Sequence, residues 1–236
     1  MSGYLMADGS TDSVVVSIGG SILVPGSNDS EYISKLASML RELSQHIRLA
    51  VVCGGGKTAR YYAETGRELG GDTYQLDILG IGATRLNAQL LALALGDMPN
   101  RIPESAQETA RNAKVGKVAV MGGTEPGHTT DAVAMMVASH MDADRVVNAT
   151  SVDAVYTDDP RKNPDAVRIP EMTIGELGDI VYKEHGASKS SVFDPLGVKI
   201  AAEKRIDIMI VDGRNLDELR KAILGEKFNG TFVDSH

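Results

Sequence analysis

The sequence predicts an α/β protein, a three-layer αβα sandwich around a mostly parallel sheet. Short, near-continuous apolar runs alternate with segments of helical spacing, the pattern of strands covered on both faces. Glycine clusters follow three of these runs directly. The 236 residues, 42% of them apolar, suffice for one large α/β domain or two small ones.

The elements follow in order. Val14, Val15, Val16, Ser17 and Ile18 form a β-branched run ending at Gly19 and Gly20. Residues 30–45 place Ile33, Leu36, Ala37, Leu40 and Leu43 on one helical face. Leu49, Ala50, Val51, Val52 and Cys53 form a second strand, closed by Gly54, Gly55 and Gly56. Helices are expected over 57–69 and 75–95. A third strand over 118–121 ends at Gly122 and Gly123, and a helix follows over 130–141. Strands over 145–149, 208–211 and 231–233 and a helix over 215–224 complete the pattern. The stretch 158–170, rich in proline and aspartate, is the expected mobile loop or lobe boundary. One compact domain over 14–236 is expected, with lobes over about 14–145 and 146–236. Residues 1–13 are short and polar, without the basic and apolar regions of a secretory signal, and read as a loose tail.

Bulk properties narrow the function. A net charge of −8 argues against a broad nucleic-acid surface, and the absence of Trp against a stacking platform for single strands. No stretch approaches the roughly 20 apolar residues that span a bilayer, so no membrane partner is expected. The single cysteine, Cys53, excludes an intrachain disulfide framework and fits a reducing cytoplasm.

The chemistry is carried by three glycine turns: Gly19-Gly20-Ser21, Gly54-Gly55-Gly56-Lys57 and Gly122-Gly123-Thr124. Glycine admits close backbone approach, and helix N-termini offer unpaired N–H groups to phosphate. In an open parallel sheet, ligands bind beyond the carboxyl ends of the strands. Three such turns on one rim surround more phosphate than one mononucleotide carries, as transfer between two phosphates requires. A Walker A loop is excluded, because its first glycine would stand at Val51. Gly54, Gly56 and Ala59 fit a loose dinucleotide fingerprint, but it follows the second strand rather than the first, and no acidic residue ends the next strand. A nicotinamide-dependent reading stays as an alternative.

Together, Ile18 through Leu23, Gly54 through Arg60 and Gly122 through Ala132 resemble the archaeal-type UMP kinases of the amino-acid-kinase superfamily. Thr150 through Pro160 is similar to that family's adenine-side loop, and Ser190 through Ile200 to its late helix entry. The resemblance implies the amino-acid-kinase fold, ATP and UMP as partners, Mg²⁺ carried with ATP, no dedicated protein metal site, and a homohexamer. It implies that Gly20, Ser21, Gly56, Arg60, Thr150, Tyr156 and Asp159 serve ATP. Gly55, Asp77, Thr124, Glu125, Pro126, Gly127, His128, Thr129 and Thr130 would hold UMP. Lys199 would be the cation near the transferred group, with Asp131 orienting the basic residues.

This chain departs from the superfamily at Ser17, where many members carry lysine. The archaeal-type UMP kinases share that departure, which leaves the cationic load on Lys199, Lys57 and Arg60. Ser151 and Ala154 replace the loop's usual asparagine and glycine. Plainer readings stand beside the functional ones. Asp77 also suits a helix cap, Thr129 or Thr130 an N-cap, and His128 loop hydrogen bonding. Asp158-Asp159-Pro160 suits a turn as well as a metal pair, and Tyr156 packing as well as adenine stacking. Lys199 suits a solvated helix face. Two functional alternatives also stay open: another kinase of the superfamily acting on carbamate, an amino acid or an isoprenoid phosphate, and a non-catalytic nucleotide- or oxyanion-binding protein.

Overall fold

The computed structural model describes residues 11–97, 99–160, 162–185 and 192–236. In chain order the elements are β1 (Ser13–Ile18), α1 (Gly20–Leu23), α2 (Asp29–Ser44), β2 (Arg48–Cys53), α3 (Gly56–Glu68) and α4 (Thr73–Leu95). Next come α5 (Ala106–Asn112), β3 (Val118–Met121), α6 (Thr130–Met141), β4 (Arg145–Thr150), β5 (Val155–Tyr156), β6 (Arg168–Ile169) and β7 (Glu171–Thr173). The chain closes with α7 (Ile174–His185), α8 (Pro195–Lys204), β8 (Asp207–Asp212), α9 (Leu216–Leu224) and β9 (Gly230–Asp234).

The main sheet has seven strands in the order β3-β2-β1-β4-β8-β9-β7. The first five run parallel, and β9 turns antiparallel to β8 with β7 parallel to it. Helices α2, α4 and α9 cover one face, while α5, α6, α7 and α8 line the other. Burial explains the apolar runs: β1, β2 and β3 are solvent-excluded almost throughout, so both faces of each strand need apolar side chains. Strand order reverses beside β1, with β2 and β3 on one side and β4 on the other. A crevice at such a switch point, beyond the strands' carboxyl ends, is where this architecture binds ligands.

Side-chain caps set several helix starts. Asp72 and Gln75 form a reciprocal capping box on α4. Thr129, Asp194 and Asn215 cap α6, α8 and α9.

Two expectations need correction and one is refined. Asp12 and Ser13 are not part of a loose tail: Ser13 opens β1, and Asp12 is buried in an ion pair with Arg145. Residues 1–10 of that expected tail lie outside the described residues, as do Ser190 and Ser191 of the late helix entry. The stretch 158–170 contains a strand, β6, paired antiparallel with β5. Finally, α4 has the length and composition of a bilayer-spanning helix, with a mean hydropathy of 1.4 over its most apolar window. It packs instead on β2, β3, α2 and α3, and its interrupting polar residues bond within the molecule.

Candidate active site

The glycine corners meet. Gly19 donates its N–H to the Ala149 carbonyl at 2.9 Å, and Gly54 to the Ile18 carbonyl at 2.8 Å. A fourth corner joins the rim where Gly213, after β8, donates to the Thr150 carbonyl at 2.9 Å. A Cβ on Gly20 would stand 2.2 Å from the Gly56 nitrogen, and Gly56 itself has φ +60°. The first and second corners therefore touch backbone to backbone, a packing that only glycine permits. Helix α3 starts at Gly56 without a side-chain cap, so among the described residues no side chain caps its first N–H groups beside the rim.

The third corner is held by α4. A Cβ on Gly122 would meet Thr84 Oγ1 at 2.6 Å and the Arg85 nitrogen at 2.7 Å. Thr84 Oγ1 accepts the Gly123 N–H at 2.6 Å. Arg85 donates to the Gly123 carbonyl at 3.2 Å and the Thr124 carbonyl at 3.1 Å. One helical turn further on, Asn87 Nδ2 donates to the Gly54 carbonyl at 2.7 Å.

Beside this junction lies a cleft of about 580 Å³. It is lined by Arg60, Arg67, Asp77, Gly80, Thr84 and the loop Gly123, Glu125 through Thr130. Asp77 Oδ2 accepts the Gly127 N–H at 2.9 Å, which docks the loop onto α4. Thr124 Oγ1 and His128 Nδ1 lie 3.4 Å apart, and His128 Nδ1 is 3.5 Å from Glu125. His128 thus has the partners of a loop-ordering residue. Arg60, grouped with the ATP residues by the resemblance, lies on this cleft because α3 packs against α4. A larger cavity of about 770 Å³, between α9 and β9, shares none of these residues.

At the centre of the rim, Ser17 Oγ donates to Asp131 Oδ1 at 2.9 Å, and the Asn148 amide stands near enough to favour the charged carboxylate. Loss of hydration pushes Asp131 up to about 6, opposed by the Ser17 hydrogen bond, reinforced by the nearby Asp194 charge and opposed again by Asn148. Among the described residues no cation contacts Asp131. Thr129, the N-cap of α6, donates its hydroxyl to Asp194 Oδ2 at 2.7 Å, and Asp194 caps α8. The start of α8 is thereby pinned beside Asp131. Lys199 lies on α8, 65% exposed, with Glu203 at 3.9 Å. Lys57 turns away from the corner and donates to the Pro25 carbonyl at 2.7 Å.

On the far side of β4, Thr150 ends its strand at the rim. The Tyr156 hydroxyl donates to Asp153 at 3.1 Å. Asp159 helps form a turn, its carbonyl accepting from Lys162 and Asn163. Ala154 is buried and its φ is not positive, so the backbone here does not demand the family's glycine. The Ser151 carbonyl accepts from Arg214, whose guanidinium holds the Asp212 carboxyl below its ordinary value. Residue-type reasoning missed Thr84, Arg85, Asn87 and Asn148. A detectable signal was the polar interruption of an otherwise apolar helix, since buried polar groups need partners.

Fold and rim together define an α/β protein built to hold phosphate at a strand switch point. The chain belongs to the amino acid kinase family, whose model matches residues 12–212. It is 42% identical to the uridylate kinase of Methanococcoides burtonii over 90% of this chain and 92% of that one. It is 43% identical to the uridylate kinase of Methanothrix thermoacetophila, over 94% and 99%. The crystal structure of uridylate kinase from Archaeoglobus fulgidus superposes with a TM-score of 0.83 at 39% identity, covering 93% of this chain and 99% of that one. UMP kinase from Bacillus anthracis shares the fold, with a TM-score of 0.76 at 19% identity over 95% and 96%.

Proposed function

We propose that this protein transfers the γ-phosphoryl group of ATP to UMP, giving ADP and UDP, and so feeds pyrimidine nucleotide synthesis in the cytoplasm. The observation that carries the reading is the rim, where two glycine corners touch and α4 ties in a third beside a nucleotide-sized cleft. The names of relatives about 40% identical along nearly the whole chain support UMP as the acceptor.

In this proposal Asp77 and residues 125–130, which line the 580 Å³ cleft, hold UMP, with Gly55 beside Thr84 and Gly80 at its edge and Thr124 next to His128. Gly20, Ser21 and Gly56 meet the ATP phosphates, Thr150, Tyr156 and Asp159 its adenosine, and Arg60 reaches the phosphates from the cleft. Residues of about 14–145 form the acceptor lobe and 146–236 the ATP lobe. The acceptor is already a phosphate, so backbone N–H groups and cations do most of the work, stabilising charge on the transferred group. Lys199 supplies one cation, and Asp131, which contacts no cation among the described residues, is proposed to orient basic groups only once nucleotide is bound. The hydrogen bond from Thr129 to Asp194 ties the starts of α6 and α8, the helices that carry Asp131 and Lys199. Among the described residues no three His, Cys, Asp or Glu side chains gather into a metal cage, so Mg²⁺ is proposed to arrive on the ATP phosphates.

One assay tests both acceptor and cation. Purified protein should consume ATP with UMP well ahead of CMP, AMP, glutamate or carbamate. Lys199→Ala should lower kcat by roughly 100-fold while leaving the melting curve in place. Equal or zero turnover across the panel would remove the UMP assignment, and near-normal kcat in the variant would remove Lys199 from the mechanism.

A further inference from the structure

We infer that Thr84 and Asn87 are positioning residues that together fix the distance between the second and third glycine corners, and with it the alignment of the two phosphates. The inference rests on the phosphoryl-transfer reading above.

The sheet alone does not hold these corners together. The ladder between β2 and β3 runs from Leu49↔Val118 to Val52↔Met121 and stops there. Past it, among the described residues, no backbone hydrogen bond joins residues 53–56 to residues 122–124. Helix α4 supplies the link. Thr84 and Asn87 are 7% and 3% exposed and stand three residues apart, about 4.5 Å along the helix axis.

Asn87 Nδ2 reaches the Gly54 carbonyl at 2.7 Å and the Gly55 carbonyl at 3.4 Å. These acceptors lie just past the end of β2. The Thr84 hydroxyl donates to the Ile81 carbonyl at 2.6 Å, which directs a lone pair at the Gly123 N–H, also 2.6 Å away. One rigid helical turn therefore carries both bonds, one to each corner. Asn87 does not line the cleft, so it acts on phosphate only through the backbone it holds. In-line transfer tolerates little displacement: a misplacement of about 1 Å by a remote change costs on the order of 100-fold in rate.

The test compares Thr84→Val and Asn87→Leu, which keep shape and lose the bonds, with Thr84→Ser, which keeps the hydroxyl. Steady-state kinetics on the intact chain give kcat and both KM values, alongside thermal melts and calorimetric nucleotide binding. The expected result is a fall in kcat of roughly 10- to 100-fold in the Val and Leu variants. Both KM values should stay within about threefold, and Thr84→Ser within about threefold of wild type. Folded variants with unchanged kcat overturn the inference. So does a rise in KM alone, or a Ser variant as poor as Val. If Thr84→Val does not fold, Thr84→Ala takes its place against the same Ser control. Kinetics are read with whichever acceptor the wild type uses, so an acceptor other than UMP sinks that assignment and leaves this inference under test. A wild type inert to every acceptor overturns both.

Discussion

Asp131 shows how this chain handles charge at the rim. Its carboxylate meets no cation among the described residues but takes a hydrogen bond from Ser17 and is favoured by the nearby Asn148 amide, both residues being buried. Desolvation dominates and raises it to about 6, against about 3.8 in the unfolded chain. The folded state therefore binds the proton more tightly. Its contribution to stability is fully present below pH 3.8 or so and is lost as pH rises through about 6. Asp131→Asn should stabilise the protein at pH 8 by on the order of 1–3 kcal/mol, the lower figure reflecting the part of the side chain still open to the rim. That gain should vanish at pH 4 and should come with lower turnover, the trade expected of a functional residue. Urea melts at the two pH values decide it. Equal stabilisation at both, or none at pH 8, means the carboxylate is not held in a desolvated setting.

At the scale of elements, the corners matter more than the helices they start. Gly20 and Gly56 approach so closely that a Cβ on either would lie inside the other's backbone. Neither side of that contact can be relieved by a rotamer change, because both are main chain. Gly20→Ala should therefore cost about 3 kcal/mol or more, at or beyond the usual range for overpacking. It should also abolish ATP turnover in whatever fraction stays folded. A variant with wild-type melting and activity would show that the two corners are looser than their contact distances indicate. The tie between β1, β2 and β4 at these corners is equally specific, since Gly19, Gly54 and Gly213 each donate to a neighbouring strand end or the residue bordering it.

For the whole molecule, the outer surface of α3 and α4 stands out. Leu86, Leu90 and Leu93 recur at helical spacing on α4 and are 59%, 39% and 59% exposed. Tyr61 and Tyr62 on α3 and Tyr74 and Ile78 on α4 are exposed as well. Large apolar side chains left exposed at helical spacing are the kind of surface on which proteins associate. The resemblance implies a homohexamer, and we propose that this face joins two copies of the chain. Light scattering after size exclusion should give an oligomer for the wild type. The double variant Leu86→Glu, Leu93→Glu should run at a smaller mass. A wild-type monomer, or a variant of unchanged mass, rules out this face as the contact. Because α4 carries Asp77, Thr84 and Asn87 on its inner side, assembly on its outer side would also steady the acceptor cleft.

The chain's linear order already contains the parallel sheet, its main helices and the three glycine corners. These depend on local spacing: apolar periodicity marks each strand or helix, and glycine marks each close turn. The twelve-residue α7 escaped notice, and so did elements with weak local signals, the one-turn α1, the short α5 and the small strands β5, β6 and β7. The contacts that make the site escaped too. Ser17 and Asp131 are 114 residues apart in sequence, and Asn87 is 33 from Gly54. No spacing rule pairs such residues. Their meeting follows from the strand order β3-β2-β1-β4, which brings distant strand ends to one edge, and from α4 packing across two of them. Arg60 belongs to the same lesson: its motif places it after a phosphate corner, but the packing of α3 on α4 sets which cleft it faces.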